Sequence, residues 1–132
     1  MVDQGRVHEG EVVVVHGMGG VGLSALMVAR ALGARVIAVD TDPATLARAQ
    51  ALGAEAAIHG GETDVVSPIR EATHGGADVS IDALGSAVTA TNSLACLRKN
   101  GRHIQVGLLV GPDHQPRLPM ELVIARELEI IG

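Results

Sequence analysis

The stretch VVVVHGMGGVGLSALMVARALGA, residues 12–34, decides the fold of this chain, because it combines a strand pattern, a helix pattern and five glycines. Four consecutive valines predict a strand that is apolar on both faces, which is typical of a strand covered on both sides. The apolar spacing after residue 20 predicts a helix. The glycines concentrate where the strand meets the helix, so we expect another group to approach the backbone closely at that junction.

The glycines at this junction follow the pattern G-x-G-x-x-G, in the segment Gly17-Met18-Gly19-Gly20-Val21-Gly22. In a strand-to-helix turn, the first glycine permits the tight turn, the second lets a pyrophosphate approach, and the third lets the helix pack closely on the strand. The helix N-terminus adds free N–H groups and a partial positive charge. The motif therefore predicts a dinucleotide-binding turn, with a glycine-rich packing turn as the alternative.

An acidic residue follows at the distance that such a turn requires. Asp40 ends the strand pattern RVIAVD and lies about 20 residues beyond the glycines, where a carboxylate can accept hydrogen bonds from the adenosine ribose. A carboxylate there would repel a 2′-phosphate, and Thr41 and Asp42 follow rather than Arg or Lys, so the sequence favours NAD over NADP. The alternatives are that Asp40 caps a helix over 43–52 or lies solvated in a turn.

Strand patterns and helix patterns alternate along the rest of the chain. This alternation predicts right-handed crossovers and a parallel sheet with helices on both faces. Gly33 and Gly53, each in a repeat of ALGA, are predicted to end helices in the left-handed conformation. The predicted strands cover 11–16, 34–40, 55–59, 77–84, 102–107 and 128–132, and the predicted helices cover 20–32, 43–52, 63–74, 86–99 and 119–126.

The composition narrows the class of protein. The 132 residues are enough for one domain, and a net charge of −5 without charged blocks argues against nucleic acid or anionic lipid as a partner. The longest apolar stretch is interrupted by His16 and by glycines, so it is a poor membrane span. The first residues do not resemble a signal segment, and we expect a cytoplasmic protein. Phe, Tyr and Trp do not occur, so the core and any adenine pocket must be aliphatic.

Neither the histidines nor the cysteine predicts a metal site. The six histidines show no close metal-ligand spacing, and Cys96 has no second cysteine to pair with, so a buried and inert thiol is expected. His16 is expected to be a hydrogen-bonded residue at a strand end, with a place beside the glycine turn as the alternative. Asp82 either orients a neighbouring group or is a solvated strand end.

Taken together, these residues resemble the nucleotide-binding domain of medium-chain, zinc-type alcohol dehydrogenases. The resemblance covers nearly the whole chain and rests on GEVVVVHGMGGVGLSALMVARALGARVIAVD, LARAQALGAEAAI, GGADVSIDALGS and LRKNGRHIQVGL. It implies an α/β fold with a doubly wound, six-stranded parallel Rossmann sheet in the order 3-2-1-4-5-6. It also implies that Ala83, Leu84 and Gly85 border the cofactor and that Gly107 and Leu108 meet its nicotinamide end.

The resemblance further implies an oxidoreductase whose zinc ligands lie in a separate catalytic domain. Residues 1–132 are then expected to be an NAD-binding domain excised from a longer enzyme, which binds cofactor but does not itself transfer hydride between alcohol or aldehyde and NAD. The family also implies a homodimer through the edge strand near Leu128 to Ile131. No residue is predicted to be catalytic or to bind metal, and the predicted cofactor-binding residues are Gly17, Met18, Gly19, Gly20, Val21, Gly22, Asp40, Thr41, Ala83, Leu84, Gly85, Gly107 and Leu108.

Two other classes of protein share the glycine turn and the acidic strand end. One is a stand-alone regulatory module that binds a nucleotide, of the type that gates potassium transport, and the other is a methyltransferase that uses S-adenosylmethionine. The segment LRKNGRHIQVGL, which leads into the long connection 107–119, favours the dehydrogenase. Long connections are often functional, and this one is predicted to be a flap beside the cleft, with disorder as the alternative.

Overall fold

A computed structural model describes residues 3–132 of the chain. The strands form one six-stranded sheet, in which all pairs are parallel and the spatial order is 3-2-1-4-5-6. This order confirms the predicted fold. The strands are β1 (Val12–His16), β2 (Arg35–Asp40), β3 (Ala56–His59), β4 (Ala77–Asp82), β5 (Leu97–Gln105) and β6 (Glu129–Ile131), and the helices are α1 (Gly20–Ala31), α2 (Pro43–Ala51), α3 (Val66–Ala72), α4 (Ala87–Ala95) and α5 (Met120–Ala125).

The two faces of the sheet bury separate apolar layers. Val13 and Val15 of β1 lie in a layer with buried residues of α1 and α2. Val12 and Val14 lie in the opposite layer, together with buried residues of α3 and α4. Because successive side chains of a strand point to opposite faces, the run of valines supplies both layers at once.

The structure corrects the predicted boundary between the fourth helix and the fifth strand. The helix ends at Ala95 and the strand begins at Leu97, whereas the sequence predicted a helix to 99 and a strand from 102. Arg126 contributes to this early end, because its Nη1 donates to the carbonyls of Ala95 and Leu97 at 2.8 and 3.1 Å. The register with β4 then shifts between Ala77 and Val79, so β5 contains an irregularity that periodicity did not indicate.

The other helix ends agree with the sequence more closely. Gly33 and Gly53 have φ of +86° and +111°, and each lies directly after the C-cap residue of its helix. Both glycines therefore end helices in the left-handed conformation, as predicted. The third helix is shorter than the predicted 63–74. The side chain of Asp64 accepts a hydrogen bond from the Ser67 N–H at 3.0 Å, and this contact fixes the entry into that helix.

The carboxyl ends of β1 and β4 lie side by side in the middle of the sheet. The strand order reverses between these two strands, since the chain extends the sheet through β2 and β3 on one side and through β5 and β6 on the other. Open α/β sheets bind their ligands in the crevice at such a reversal. The fold therefore puts the glycine turn that follows β1 at the expected place for a site.

Candidate functional site

The turn between β1 and α1 depends on two glycines for different reasons. Gly17 has φ of +92°, a conformation that other residues rarely adopt, and its N–H donates to the Val39 carbonyl at 2.8 Å. At Gly22 a Cβ would lie 1.8 Å from the Gly17 carbonyl oxygen, so α1 can pack against the turn only if this residue has no side chain. These are the tight turn and the close helix packing that the motif predicts.

The glycines between them leave open space at the start of α1. Among residues 3–132, a Cβ placed on Gly19 or Gly20 would have no atom within 4 Å, apart from atoms of neighbouring residues along the chain. Gly19 is the N-cap of α1, and no side chain caps the helix. The first N–H groups of a helix lack intrahelical partners and carry partial positive charge, so this open end is suited to bind an anion.

Asp40 ties the end of β2 to the glycine turn. Its Oδ2 accepts the Met18 N–H at 2.7 Å and its Oδ1 accepts the Asp42 N–H at 3.0 Å. Helix α2 is capped by Asp42, whose Oδ1 accepts the Ala44 N–H at 3.0 Å, so the alternative that Asp40 caps this helix is wrong. A carboxylate has about four acceptor positions, which leaves two on Asp40 for ribose hydroxyls.

Met18 differs from the other predicted residues of the turn. Its side chain is fully buried in the layer beneath α1, and its N–H is used by Asp40. The buried side chain of Met18 therefore fixes the turn to the core, and neither this side chain nor the Met18 N–H is available to a ligand. Val21, in the first turn of α1, has an exposed side chain.

A cleft opens beside the turn, and four of the predicted residues line it. These are Gly17, Asp40, Thr41 and Leu84, and the other predicted residues are not among those that line it. The sequence reasoning missed Val39, Gly60 and Thr89 and preferred a purely structural role for His16, which also lines the cleft. Gly60 was detectable, because it follows the end of β3 next to β2, whereas nothing in the local sequence distinguishes Thr89.

The predicted residues after β4 and β5 lie against one another. A Cβ on Gly107 would lie 2.3 Å from the Gly85 nitrogen, and a Cβ on Gly85 would lie 2.4 Å from the Leu108 carbonyl oxygen. Leu84 and Leu108, which flank this contact, have side chains that are 62% and 78% exposed. The two loops thus form one backbone-to-backbone ledge with an apolar rim at the carboxyl end of the sheet.

The side chain of Asp82 holds the first loop of this ledge in place. It is fully buried, and its Oδ1 accepts the N–H groups of Leu84 and Gly85, each at 3.0 Å. The alternative that Asp82 is a solvated strand end is therefore wrong. Its carboxylate orients neighbouring groups, as the other alternative stated.

The buried histidines and the cysteine are kept neutral by their surroundings. Burial lowers the pKa of His16 to about 4, with the nearby Asp82 opposing this effect and His103 adding to it. Burial also lowers the pKa of His103 and raises the pKa of the Cys96 thiol to about 11. His16 Nε2 lies 3.0 Å from Ser80 Oγ, as expected for a hydrogen-bonded strand end, and Cys96 is a buried thiol as predicted.

Two absences concern the same part of the chain. Among residues 3–132, no group of three or more His, Cys, Asp or Glu side chains is arranged to hold a metal ion. Over the same described range, no helix has the length and apolar character needed to cross a membrane.

Comparison with known proteins assigns the family. A family model described as zinc-binding dehydrogenase matches residues 20–132. The chain belongs to this family. Sorbitol dehydrogenase of Halalkalibacterium halodurans is 35% identical over 129 residues, which cover 96% of this chain and 37% of that protein. D-arabitol-phosphate dehydrogenase of Enterococcus avium is 35% identical over 125 residues, which cover 92% of this chain and 35% of that protein.

Solved structures of zinc-binding dehydrogenases share the fold. An alcohol dehydrogenase from Thermus sp. ATN1 superposes with a TM-score of 0.91 at 34% identity, over 99% of this chain and 38% of that chain. The chain thus spans little more than a third of the length of these relatives, from 35% to 38%. Membership of the family favours a dehydrogenase domain over a regulatory nucleotide-binding module or a methyltransferase.

Proposed function

We propose that this chain is the NAD(H)-binding domain of an alcohol dehydrogenase-like enzyme that transfers hydride between an alcohol or aldehyde and NAD. The observation that carries the proposal is the carboxylate of Asp40, which lines the cleft and accepts the Met18 N–H in the turn just before the open, uncapped start of α1. NAD fits these groups, since the N-terminus of a helix suits its pyrophosphate and a carboxylate suits its ribose hydroxyls.

Separate residues serve the separate parts of the dinucleotide. The backbone of Gly19, Gly20 and Val21 would hold the pyrophosphate, because the space in front of these residues is open. Asp40 would hold the adenosine ribose, beside the aliphatic side chain of Val39 in the same cleft. Bound NAD supplies the hydride acceptor, while the chain's own residues orient it and exclude water.

The preference for NAD over NADP rests on Asp40. Its two oxygens already accept N–H groups from Met18 and Asp42, so the carboxylate is held in place at the end of β2. A fixed negative charge at this position repels a 2′-phosphate, while its unused acceptor positions favour a free hydroxyl. Replacement of Asp40 by alanine removes both effects.

Zinc chemistry belongs, in this proposal, to residues outside 1–132. A zinc ion would polarise the substrate oxygen in the whole enzyme, in a domain that brings its own ligands. The exposed apolar side chains of Leu84 and Leu108 at the rim of the cleft suit contact with such a domain. The chain alone is therefore expected to bind the cofactor without oxidising alcohols.

A homodimer through the sheet edge completes the proposal. The structure has β6 at the edge, with the side chain of Ile130 44% exposed, whereas Leu128 is buried. Glu129 carries a charge on this edge and pairs with Arg6 at 2.7 Å. An edge strand that can pair with its own copy needs only this one segment for a two-fold contact.

Calorimetric titration of the chain with NADH tests the proposal. We expect saturable one-site binding to the wild type and its loss in Gly19→Val, because the new side chain extends into the open space before α1, where its Cβ meets no other atom within 4 Å. Thermal unfolding of the variant provides the control for folding. Wild-type protein that does not bind NADH, or a Gly19→Val variant that binds it equally well, would contradict the proposed site.

Turnover is the second readout. Purified chain incubated with simple alcohols, NAD and zinc is expected to produce no NADH. Steady production of NADH that disappears in Gly19→Val would mean that a catalytic site lies within the chain.

A further inference from the structure

A continuous set of polar side chains, buried except for the half-buried Gln105, lies at the carboxyl ends of β1, β4 and β5. Ser80 Oγ lies 3.0 Å from His16 Nε2 and 2.7 Å from Ser93 Oγ, and Ser93 Oγ lies 2.6 Å from His103 Nδ1. The set continues to Gln105 and ends at Asp82. Its members are His16, Ser80, Ser93, His103, Gln105 and Asp82, which we call the polar network.

Gln105 is the member that joins both loops of the ledge. Its Nε2 donates to Asp82 Oδ2 at 2.8 Å and to the Gly107 carbonyl at 2.9 Å. Its Oε1 lies 3.0 Å from His103 Nε2. Both donor hydrogens and the acceptor oxygen of the amide are thus in use, so the side chain has a single orientation.

Asp82 forms hydrogen bonds to Gln105 and to both loops. Its Oδ1 holds the N–H groups of Leu84 and Gly85, while its backbone carbonyl accepts the N–H groups of Val106 and Gly107 at 3.0 and 2.8 Å. The loop after β4 and the loop after β5 therefore share one buried carboxylate residue and one amide. These two side chains add to the backbone hydrogen bonds that hold the loops together.

The arrangement is costly as a way to stabilise a core. A polar group removed from water contributes little net stability even when it is hydrogen-bonded, and a buried carboxylate without its partners is strongly unfavourable. Apolar side chains in these positions would pack the interior of the sheet without that cost. What the polar groups add is direction, because each hydrogen bond fixes a distance and an angle.

The ledge has little tolerance for displacement. Gly85 and Gly107 approach so closely that neither can carry a side chain, with a Cβ on Gly107 only 2.4 Å from the Leu84 carbonyl carbon. Loss of the Gln105 amide leaves Asp82 Oδ2 and the Gly107 carbonyl without this donor. The two loops would then separate or slide against each other.

We propose that Gln105 is a positioning residue for the nicotinamide half of the cofactor, acting through Asp82 and the Gly85–Gly107 contact. This inference rests on the proposed function. In a doubly wound sheet each half binds one nucleotide, and Asp40 assigns the adenosine to the half that contains β2. The ledge after β4 and β5 belongs to the other half, so it serves the nicotinamide ring, the one part of NADH that ADP-ribose lacks.

The proposal predicts that Gln105 affects two ligands differently. NADH reaches both halves of the sheet, whereas ADP-ribose carries the adenosine and the pyrophosphate but no nicotinamide ring. Gln105→Met keeps the length of the side chain and removes its hydrogen bonds. We expect the variant to bind NADH roughly tenfold more weakly, the effect of one to two hydrogen bonds, and ADP-ribose within about twofold of the wild type.

Two further variants serve as controls. Gln50→Met makes the same chemical change on the exposed surface of α2 and is expected to change neither affinity. Asp40→Ala is expected to weaken both ligands together, since both contain the adenosine ribose. If Gln105→Met does not fold, Gly107→Ala tests the same loops, because its Cβ forces Gly85 away.

Hydrogen exchange provides a readout that needs no ligand. In Gln105→Met the amides of Gly85 and Gly107 are expected to exchange faster, while that of Met18, held by Asp40, is expected to stay unchanged. Equal weakening of NADH and ADP-ribose, or no weakening of either, would overturn the positioning role. Wild-type protein that binds neither ligand would overturn the proposed function itself, and with it this role.

Discussion

The two halves of the sheet meet the cleft in different ways. The half that contains β1 and β2 presents open backbone, an uncapped helix start and one carboxylate tied to a backbone N–H. The half that contains β4 and β5 presents two loops in backbone contact above the buried polar network. The first half leaves room for a ligand by omitting side chains, whereas the second half positions its loops through side chains that a ligand does not touch.

A substitution should therefore act differently in the two halves. In the first half a change at a glycine acts either on folding or on binding, depending on whether the glycine faces the protein or the open space. In the second half a change to the polar network acts on the loops and reaches the ligand only through them.

Gly22→Ala is expected to destabilise the fold strongly. The new Cβ would lie 1.8 Å from the Gly17 carbonyl oxygen, and backbone on both sides of this contact cannot yield as a flexible side chain would. Overpacking of this kind costs roughly 3 kcal/mol or more in the free energy of unfolding. Urea denaturation measures it, and Gly20→Ala is the matched control, since it adds a methyl group where the space is open.

A Gly22→Ala variant as stable as Gly20→Ala would mean that α1 does not depend on close packing against the turn. The assignment of separate roles to the glycines would then fail. The open glycines would no longer be distinguishable from the packed one.

Stability is expected to fall as the pH drops from about 6.5 to about 4. Burial lowers the pKa of His16 to about 4 in the folded chain, so within this window the unfolded chain binds more protons than the folded one. The shift corresponds to up to roughly 3 kcal/mol in the free energy of unfolding, fully present above pH 6.5. The lowered pKa of His103 acts in the same direction.

Urea denaturation at several pH values measures this loss, and His16→Gln should reduce its slope because the substituted residue cannot take up a proton. The groups facing His16 that carry or acquire charge are Asp82 and His103. A wild-type stability that is flat from pH 7 to pH 4 would contradict the description of His16 and His103 as buried and neutral.

The edge strand β6 of the second half allows a test with a smaller expected effect. Ile130 on β6 is half-exposed at the sheet edge, and Ile130→Lys places there the charge that natural edge strands use to prevent pairing. We expect light scattering coupled to gel filtration to show a wild-type dimer whose dissociation constant rises at least about tenfold in the variant, or about 1.4 kcal/mol. A monomeric wild type at high concentration would refute the dimer, and a dimer that ignores the substitution would move its interface elsewhere.

The sequence predicted the first half of the sheet far better than the second. Gly17, Gly22 and Asp40 act through local rules, because a positive φ, a close approach and a strand end are each visible within a few residues. The fold order followed from the family resemblance and from the alternation of strands and helices. The alternation is visible in short windows of sequence, whereas the resemblance covers nearly the whole chain.

The second half depends on contacts between distant residues. Ser93 meets His103 only after α4 has packed on the sheet, and Gln105 meets Asp82 only after β5 has paired with β4. No spacing in the sequence indicates these pairs. The early start of β5 arises in the same way, from a guanidinium supplied by Arg126 some 30 residues later. Thr89 lines the cleft from the first turn of α4, where it forms a capping box with Ser86.

One titration tests the central claim, that this cleft binds NAD with Asp40 at the adenosine ribose. Calorimetry with NADH and NADPH should show that the wild type prefers NADH by roughly tenfold to a hundredfold. This ratio corresponds to about 1.5–3 kcal/mol, the contribution of a hydrogen bond to a charged group. In Asp40→Ala the preference should vanish, mainly through weaker binding of NADH. Equal affinities of the wild type for the two cofactors, or a preference that survives in Asp40→Ala, would contradict the account.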